Sequence, residues 1–264
     1  MQIDLSGKSA LVSGSTQGIG RAIVARLASC GAVVYVNGRD GARVDAVVAE
    51  LRAEQPDARF ESAAADVATA DGAAALFEAL PAVDILINNL GIFGPTPLLD
   101  VSDELWQRYW DVNVMSGVRL TRHYIRGMTE RGWGRVQFMA SDSAVVIPEE
   151  MVHYGVTKTA LLGVSRGFAK VVAGSGVTVN AVIAGPTHTG GVEDFVRELV
   201  GSDLPWDEAS ATFVREHRPT SLIGRLIEPV EIANLCAYLA SDLASATTGG
   251  AIRVDGGFVD NIVL

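Results

Sequence analysis

The sequence has 264 residues, of which 48% are hydrophobic, so the chain is long enough for one large α/β domain or two small ones. It contains no run of roughly 18 uninterrupted apolar residues, and its N-terminus lacks a basic region followed by an apolar one, which argues against a membrane span and a secretory signal. The formal net charge of −10 argues against nucleic acid as the main partner, because phosphate binding depends on clustered cations. These features predict a cytoplasmic protein whose two cysteines, Cys30 and Cys236, are buried and reduced.

Short apolar runs alternate with longer helix-like segments along almost the whole chain. This alternation predicts a parallel sheet with helices on both faces, joined by right-handed crossovers. We find no linker, repeat or low-complexity tract in the sequence, and we therefore expect one doubly wound α/β domain over residues 1–264. Strands are predicted near 8–13, 32–36, 58–64, 83–88, 134–139, 176–183 and 250–254, and helices near 18–29, 40–53, 69–79, 102–129, 152–174 and 228–240.

The first strand runs into a glycine-rich loop within ALVSGSTQGIGRAI, residues 10–23. Its glycines, Gly14, Gly18 and Gly20, let the backbone approach a ligand closely, and the helix that follows offers unpaired N–H groups to an anion. Ligands of parallel α/β sheets bind outside the carboxyl ends of the strands, which is where this loop lies. A phosphate-binding loop is therefore one interpretation, and a glycine turn without a ligand is the other.

A tyrosine and a lysine lie four residues apart on the helix predicted near 152–174. The side chains of Tyr154 and Lys158 therefore project from one face of that helix. A nearby ammonium group favours the phenolate, and we expect it to lower the pKa of Tyr154 enough for proton transfer to or from a carbonyl oxygen. The alternative is an exposed Tyr–Lys pair of little energetic value.

Residues 185–227 form the one irregular region of the pattern. They contain the adjacent glycines Gly190 and Gly191, the prolines Pro205 and Pro219 and scattered aromatic residues, and we interpret residues 187–224 as a substrate lid inserted into the domain. The aromatic side chains could line an apolar pocket, or they could fix the lid to the body of the domain, which is the default interpretation. These side chains are Phe195, Trp206 and Phe213.

Several motifs follow one another in the order found in one enzyme family. The loop SGSTQGIG resembles the TGxxxGIG signature of classical short-chain dehydrogenases/reductases, with Ser13 in place of threonine. NNLG at 88–91 resembles NNAG, with Leu90 in place of alanine, and AGPTHT at 184–189 resembles PGxxxT. The resemblance spans nearly the whole chain and implies a Rossmann-type domain with nicotinamide chemistry. Its remaining matches are DVNV at 111–114, Ser141, YGVTK at 154–158 and VDGG at 254–257.

The resemblance implies four catalytic residues. Tyr154 exchanges the proton with the substrate oxygen, and Ser141 hydrogen-bonds that oxygen as an oxyanion contact does. Lys158 also binds the nicotinamide ribose, and Asn113 positions a water for proton relay. For Asn113, capping or bridging inside a helix is an alternative role.

The same resemblance implies a cofactor site built from the loops that follow several strands. At the end of the second strand, a guanidinium rather than an acid is present, which suits the 2′-phosphate of NADP. NAD stays open, because Arg39 could be a solvated surface charge, and Asp40 is expected to cap the next helix. The residues assigned to the cofactor are Gly14, Ser15, Thr16, Gln17, Gly18, Ile19, Gly20, Asn37, Gly38, Arg39, Asp66, Val67, Asn89, Gly91, Tyr154, Lys158, Gly185, Thr187 and Thr189.

The function that these residues predict is an NADP(H)-dependent oxidoreductase that interconverts a ketone and a secondary alcohol. Its small-molecule substrate is expected to be small or medium-sized and partly apolar. The alternative from a different class is a dinucleotide-binding sensor or scaffold protein without turnover. An epimerase or dehydratase of the extended branch of the superfamily is disfavoured, because such chains usually open with GxxGxxG.

Partners and accessory groups are less determined by the sequence. The resemblance implies a homotetramer, and the apolar tail FVDNIVL at 258–264 is compatible with association. No metal is expected, because the four histidines form no ligand motif. The roles of His153, His188, Glu149 and Glu150 stay open.

Overall fold

The fold is a seven-stranded, all-parallel sheet in a computed structural model that describes residues 2–201 and 203–262. The strand order is β3-β2-β1-β4-β5-β6-β7, with helices on both faces, which confirms the predicted doubly wound architecture. The single-domain assignment stays a prediction, and the last two residues of the apolar tail lie outside the described residues. The strands are β1 (Ser9–Val12), β2 (Val33–Val36), β3 (Arg59–Ser62), β4 (Ile85–Asn88), β5 (Gly134–Ser141), β6 (Val177–Ala184) and β7 (Ala251–Val254).

The described part of the chain contains nine α-helices. Each of the six predicted helices is present, although the one predicted near 102–129 is interrupted. Among the described residues, no helix combines the length and apolar character needed to cross a membrane. The helices are α1 (Gly18–Ser29), α2 (Gly41–Glu54), α3 (Ala70–Ala79), α4 (Asp103–Trp110), α5 (Ser116–Glu130), α6 (Val152–Val171), α7 (Gly190–Val200), α8 (Trp206–His217) and α9 (Pro229–Ala240).

The sheet divides the core into two layers, because alternate side chains of a strand point to opposite faces. In β1, Val12 packs into the layer formed with α1, α2 and α9, whereas Leu11 packs into the layer formed with α3, α5 and α6. Every residue of β5 and β6 is buried, as expected for central strands covered on both faces. Of the two cysteines, both free thiols, Cys236 is buried as predicted, but Cys30 is only half-buried.

Two segments differ from the sequence prediction. A π-helical turn, Asp111–Met115, separates α4 from α5, so the predicted single helix is broken at Asn113. The region predicted to be irregular contains α7 and α8, which pack onto each other and form an apolar cluster with Met151. The apolar residues of α7 recur at helical spacing, as Val192, Phe195 and Val196 do, and they pack within this small cluster rather than against the sheet.

The chain order reverses between β1 and β4, which are neighbours in the sheet although β2 and β3 come between them in sequence. At such a point the loops leaving the two strands diverge to opposite faces and open a crevice at the carboxyl edge. The loops after β1, β4, β5 and β6 all lead into this crevice, so the topology brings the predicted motifs together.

Candidate active site

A cavity of about 990 Å³ lies at the carboxyl edge of the sheet. The glycine-rich loop forms one end of it, and Ser141, Tyr154 and Lys158 lie in its wall. Helices α7 and α8, which lie within the predicted lid, border the cavity on the far side through Phe195 and Phe213. One continuous space therefore connects the predicted phosphate loop with the predicted proton donor.

The glycine-rich loop has the tight geometry that its glycines permit. Gly14 and Gly18 have φ angles of 61° and 55°, in the left-handed region that favours glycine. A Cβ atom on Gly14 would lie 2.9 Å from the Cα atom of Leu90, so the loop after β1 touches the loop after β4. Ser13 joins the two loops as well, because its hydroxyl accepts hydrogen bonds from the N–H groups of Asn89 and Leu90, both at 3.0 Å.

The N-terminus of α1 offers an open anion site inside this cavity. Its N-cap residue, Gln17, makes no side-chain capping bond, and the first turn contains no acidic residue. By contrast, α2 and α3 are capped by Asp40, as predicted, and by Thr69. Uncapped N–H groups and the helix dipole favour a phosphate, so the residues present fit the pyrophosphate of a dinucleotide.

The end of the cavity near β2 combines a fixed asparagine with an exposed arginine. Asn37 is buried, and its amide group donates to the carbonyl groups of Ala63 at 2.8 Å and Ala65 at 3.2 Å. The Asn37 side chain thus holds β2 to the chain after β3, and its amide N–H groups are used in these two backbone contacts. Arg39 is exposed, lines the cavity, and makes no hydrogen bond or ion pair with the described residues. Its five N–H donors are available to a ligand.

Most residues assigned to the cofactor line the cavity, and one does not. Ser15 is fully buried behind the loop, where its hydroxyl donates to the carbonyl of Val12 at 2.7 Å. Thr189 lines the cavity and also caps α7. The other assigned residues that line the cavity include Gly14, Thr16, Gln17, Gly18, Ile19, Gly20, Asn37, Gly38, Asp66, Val67, Asn89, Gly91, Gly185 and Thr187.

Tyr154 and Lys158 share one face of α6, but their electrostatics differ from the sequence expectation. Burial raises the pKa of Tyr154, and the neighbouring Ser141 opposes this only in part. Burial also lowers the pKa of Lys158 to about 8. The Lys158 ammonium lies 5.6 Å from the centre of the Tyr154 ring and donates to the carbonyl of Met139 at 2.8 Å. The expected lowering of the phenol pKa by this lysine is therefore wrong for this arrangement, since desolvation dominates.

Asn113 occupies the π-helical turn and connects three elements. Its Oδ1 accepts from the N–H of Ile92 at 2.8 Å, and its Nδ2 donates to the carbonyl of Ile92 and to Thr157 Oγ1, both at 3.0 Å. Asn113 therefore holds the loop after β4 against α6, close to Lys158. This bridge joins two elements, whereas the alternative that the sequence left open was capping or bridging inside a helix, and the positioning of a water stays a prediction.

Sequence reasoning missed one acidic residue beside Ser141. The Ser141 hydroxyl donates to Oδ1 of Asp142 at 2.8 Å, and the N–H of Ser143 donates to the same oxygen at 2.7 Å. Asp142 is only 5% exposed and lines the cavity together with Arg218. The aspartate directly follows the serine in sequence, but nothing in that order signals that it is buried.

Apolar side chains dominate the substrate end of the cavity. Phe195 and Phe213 pack edge to face, with ring centres 6.1 Å apart, and Phe93 lies 6.2 Å from the ring of Tyr154. A Cβ atom on Gly191 would approach the Phe93 ring to 3.2 Å, so the start of α7 rests on this phenylalanine. The lid aromatics therefore do both things that the sequence left open, since they line the pocket and fix the lid.

The residues whose roles the sequence left open take structural positions. His153 is fully buried, with its ring 4.3 Å from that of Tyr109, and burial lowers its pKa. His188 hydrogen-bonds Glu193 at 2.8 Å and Glu228 at 3.3 Å, linking the start of the lid to α9. The other two residues, Glu149 and Glu150, form a short helical turn before α6. No group of three potential metal ligands occurs among the residues that the structure describes.

Comparisons with known proteins agree with this geometry. A family model described as enoyl-(acyl carrier protein) reductase matches residues 14–259. The uncharacterized oxidoreductase YvaG of Bacillus subtilis is 48% identical over 99% of this chain and 100% of its own length. The 3-oxoacyl-[acyl-carrier-protein] reductase FabG of Aquifex aeolicus is 33% identical over 97% of this chain and 99% of its own.

A solved structure matches the fold throughout. L-sorbose reductase from Gluconobacter frateurii, crystallised with NADPH and L-sorbose, has a TM-score of 0.92 and is 33% identical over 99% of this chain and 100% of its own. Together with the serine, tyrosine and lysine that converge on one cavity, these matches confirm the resemblance seen in the sequence. The chain belongs to the short-chain dehydrogenase/reductase family and is an NAD(P)-dependent oxidoreductase acting on CH–OH and C=O groups.

Proposed function

We propose that this protein is an NADP(H)-dependent reductase that interconverts a ketone and a secondary alcohol on a small or medium-sized, partly apolar substrate. The observation that carries the proposal is the single cavity of about 990 Å³, which joins the open N-terminus of α1 to Ser141 and Tyr154. A sensor without turnover would need the dinucleotide-binding end at α1, but it would not need Ser141 and Tyr154 at the other end.

The chain's own residues divide the work of the reaction. The nicotinamide dinucleotide, when bound, supplies or accepts the hydride. Ser141 and Tyr154 meet the substrate oxygen, and Tyr154 holds the proton that this oxygen gains in reduction. Because burial keeps the pKa of Tyr154 high, the phenol stays protonated and ready to donate. The apolar wall of Phe93, Phe195 and Phe213 excludes water from the reacting carbon.

The preference for NADP over NAD rests on Arg39. Its exposed guanidinium at the end of β2 suits a phosphate dianion through charge-assisted hydrogen bonds. The acid in this segment, Asp40, is occupied with capping α2 through the N–H of Arg43. The relative that was crystallised with NADPH, L-sorbose reductase, supports the same preference.

Association into a homotetramer is part of the proposal. Exposed apolar side chains lie on neighbouring elements around the start of α6, where Ile147 packs against Gly155. Such a cluster is costly to leave in water, and a second copy of the chain would cover it. Two other exposed apolar side chains lie on the same segments, Val146 before α6 and Val156 within it.

The decisive experiment separates turnover from cofactor binding. Tyr154→Phe removes the proton donor but leaves the cavity intact, so we expect loss of NADPH-dependent ketone reduction by at least about 100-fold with NADPH binding within about 3-fold of wild type. Reduction is followed by NADPH absorbance over a panel of ketones, and binding by fluorescence titration. Undiminished turnover in Tyr154→Phe, or no turnover of any ketone by the wild type, would contradict the proposal.

A further inference from the structure

The residue after Ser141 is a buried acid that the proposed reaction does not yet use. Asp142 Oδ1 accepts hydrogen bonds from Ser141 Oγ at 2.8 Å and from the N–H of Ser143 at 2.7 Å. The other carboxyl oxygen, Oδ2, is buried and has no hydrogen-bond partner among the described residues. Leaving a carboxyl oxygen buried without a partner costs free energy, and this cost is greater for the ionised carboxylate than for the neutral carboxyl group.

Ser141 has only one proton to donate. Its Oγ accepts a hydrogen bond from the N–H of Ser143 at 3.2 Å. The hydroxyl's own proton is used in the hydrogen bond that Ser141 donates to Asp142. An ionised carboxylate can only accept hydrogen bonds, so the Ser141 proton is then withheld from the substrate. When Asp142 is protonated on Oδ1, the direction of the same contact can reverse. Asp142 then donates to Ser141 Oγ, and the Ser141 proton is free to point into the cavity.

We propose that Asp142 is a positioning residue whose protonation state decides whether Ser141 donates its hydroxyl proton to the substrate oxygen. The inference rests on the proposed function, because it requires that Ser141 contacts the carbonyl oxygen of a substrate. The step exchanges one proton between solvent and the Asp142 carboxyl group and reorients one hydroxyl. No bond to carbon forms or breaks in it, and no oxidant or reductant is needed.

The surroundings of Asp142 set the pH range of this switch. Burial raises the pKa of Asp142 above its ordinary value, and the hydrogen bond from Ser141 and the charge of Arg218 oppose this. Tyr154, from α6, also faces Asp142, whose charge raises the pKa of this phenol. Arg218 is held between the rings of Phe213 and Phe258, at 5.2 and 5.3 Å, so its charge is fixed in place. Removing that charge should raise the pKa of Asp142 further.

The first test is the pH dependence of kcat for ketone reduction at saturating NADPH. We expect the wild-type rate to fall by at least about 10-fold as pH rises through the titration of Asp142, since one donor to the substrate oxygen is lost. In Asp142→Asn the amide oxygen still accepts from Ser141, so the rate should stay near the high-pH value of the wild type at every pH. Arg218→Gln should keep the fall in rate but move it to higher pH.

A matched control is available in the same cavity. Asp194 is an exposed carboxylate that lines the cavity at α7, and Asp194→Asn makes the same chemical change there. This control should keep the fall in rate at the wild-type pH. The inference is overturned if kcat still falls with pH in Asp142→Asn. It is also overturned if the pH of the fall is unchanged in Arg218→Gln, and this second variant keeps the test valid if Asp142→Asn does not fold.

The second test needs no turnover and no cofactor. A carboxyl group whose folded pKa is raised stabilises the fold most at low pH, and this stability is lost as pH rises towards the folded pKa. The stability of the wild type relative to Asp142→Asn should therefore decrease with pH and level off at the pH where kcat falls. A flat difference overturns the inference even if ketones are reduced. If the wild type reduces no ketone, the proposed function fails, and the inference falls with it.

Discussion

At the scale of single residues, the placement of one positive charge carries the proposed preference for NADPH over NADH. Arg39 is exposed beside the cavity with its N–H donors free of the described residues, so Arg39→Gln should raise the Kd for NADPH by about 10- to 100-fold. The Kd for NADH, which lacks the 2′-phosphate, should stay within about 2-fold. Fluorescence titration measures both, and Arg122→Gln, at an exposed position on α5, serves as the control. An equal loss for both cofactors would place Arg39 away from the 2′-phosphate.

Lys158 illustrates a conflict between stability and function in a single buried side chain. It is 5% exposed, and burial lowers its pKa from 10.5 to about 8. Between these values the unfolded chain binds more protons than the folded one, so the free energy of unfolding should rise with pH from about 8 to 10.5, by up to about 3 kcal/mol.

The substitution Lys158→Met should remove that rise and abolish turnover together. At pH 7 and without cofactor, the variant should be more stable than the wild type by about 1–2 kcal/mol, because a buried cation is lost along with one hydrogen bond. Urea unfolding at pH 7 and pH 10 measures the difference in stability, which should reverse sign at the higher pH, because the wild type gains about 2.5 kcal/mol over this range and the variant does not. Lys170→Met, at the exposed end of the same helix, should leave the free energy of unfolding unchanged at both pH 7 and pH 10. A wild type with pH-independent stability over this range would contradict the prediction.

At the scale of elements, the π-helical turn between α4 and α5 links the loop after β4 to α6. Its Asn113 makes three hydrogen bonds that hold the loop after β4 to α6. Asn113→Ala leaves both backbone groups of Ile92 without these partners, so the free energy of unfolding should fall by about 2–4 kcal/mol and kcat should fall with it. Urea unfolding and ketone reduction measure the two effects.

A second substitution isolates one of these contacts. Thr157 accepts the third hydrogen bond of Asn113, and Thr157→Val removes it without a large change in volume. In a double-mutant cycle the two residues should show a coupling of about 1 kcal/mol. If Asn113→Ala unfolds within about 0.5 kcal/mol of the wild type, the turn does not depend on this side chain.

At the scale of the whole molecule, the exposed apolar cluster near the start of α6 tests the proposed association. Val156→Glu places a charge in that cluster and should shift the particle to a smaller oligomer in sedimentation velocity, because a buried unpaired charge is costly. The fold should persist, since Val156 is exposed within one chain. Ala53→Glu, on the exposed side of α2, is the control and should sediment as the wild type does. A wild type that sediments as a monomer would contradict the proposed association.

The sequence by itself determined the parallel sheet, the order of its elements and the motifs of the family. Runs such as ILIN in β4 are apolar on both faces, and the glycine loop needs glycine for a local reason, its left-handed backbone. Such local constraints are visible in short stretches of chain. The YxxxK spacing likewise places both side chains on one helical face wherever that helix lies.

Only the tertiary structure decided how these residues are buried and what they contact. Desolvation comes from atoms distant in sequence, so the raised pKa of Tyr154 and the burial of Asp142 could not be predicted from their neighbours in the chain. The bridge from Asn113 to Ile92 spans a loop, and α7 and α8 bury their apolar faces in a cluster of their own. Patterns along a chain report periodicity, whereas electrostatics depends on the distances that folding creates.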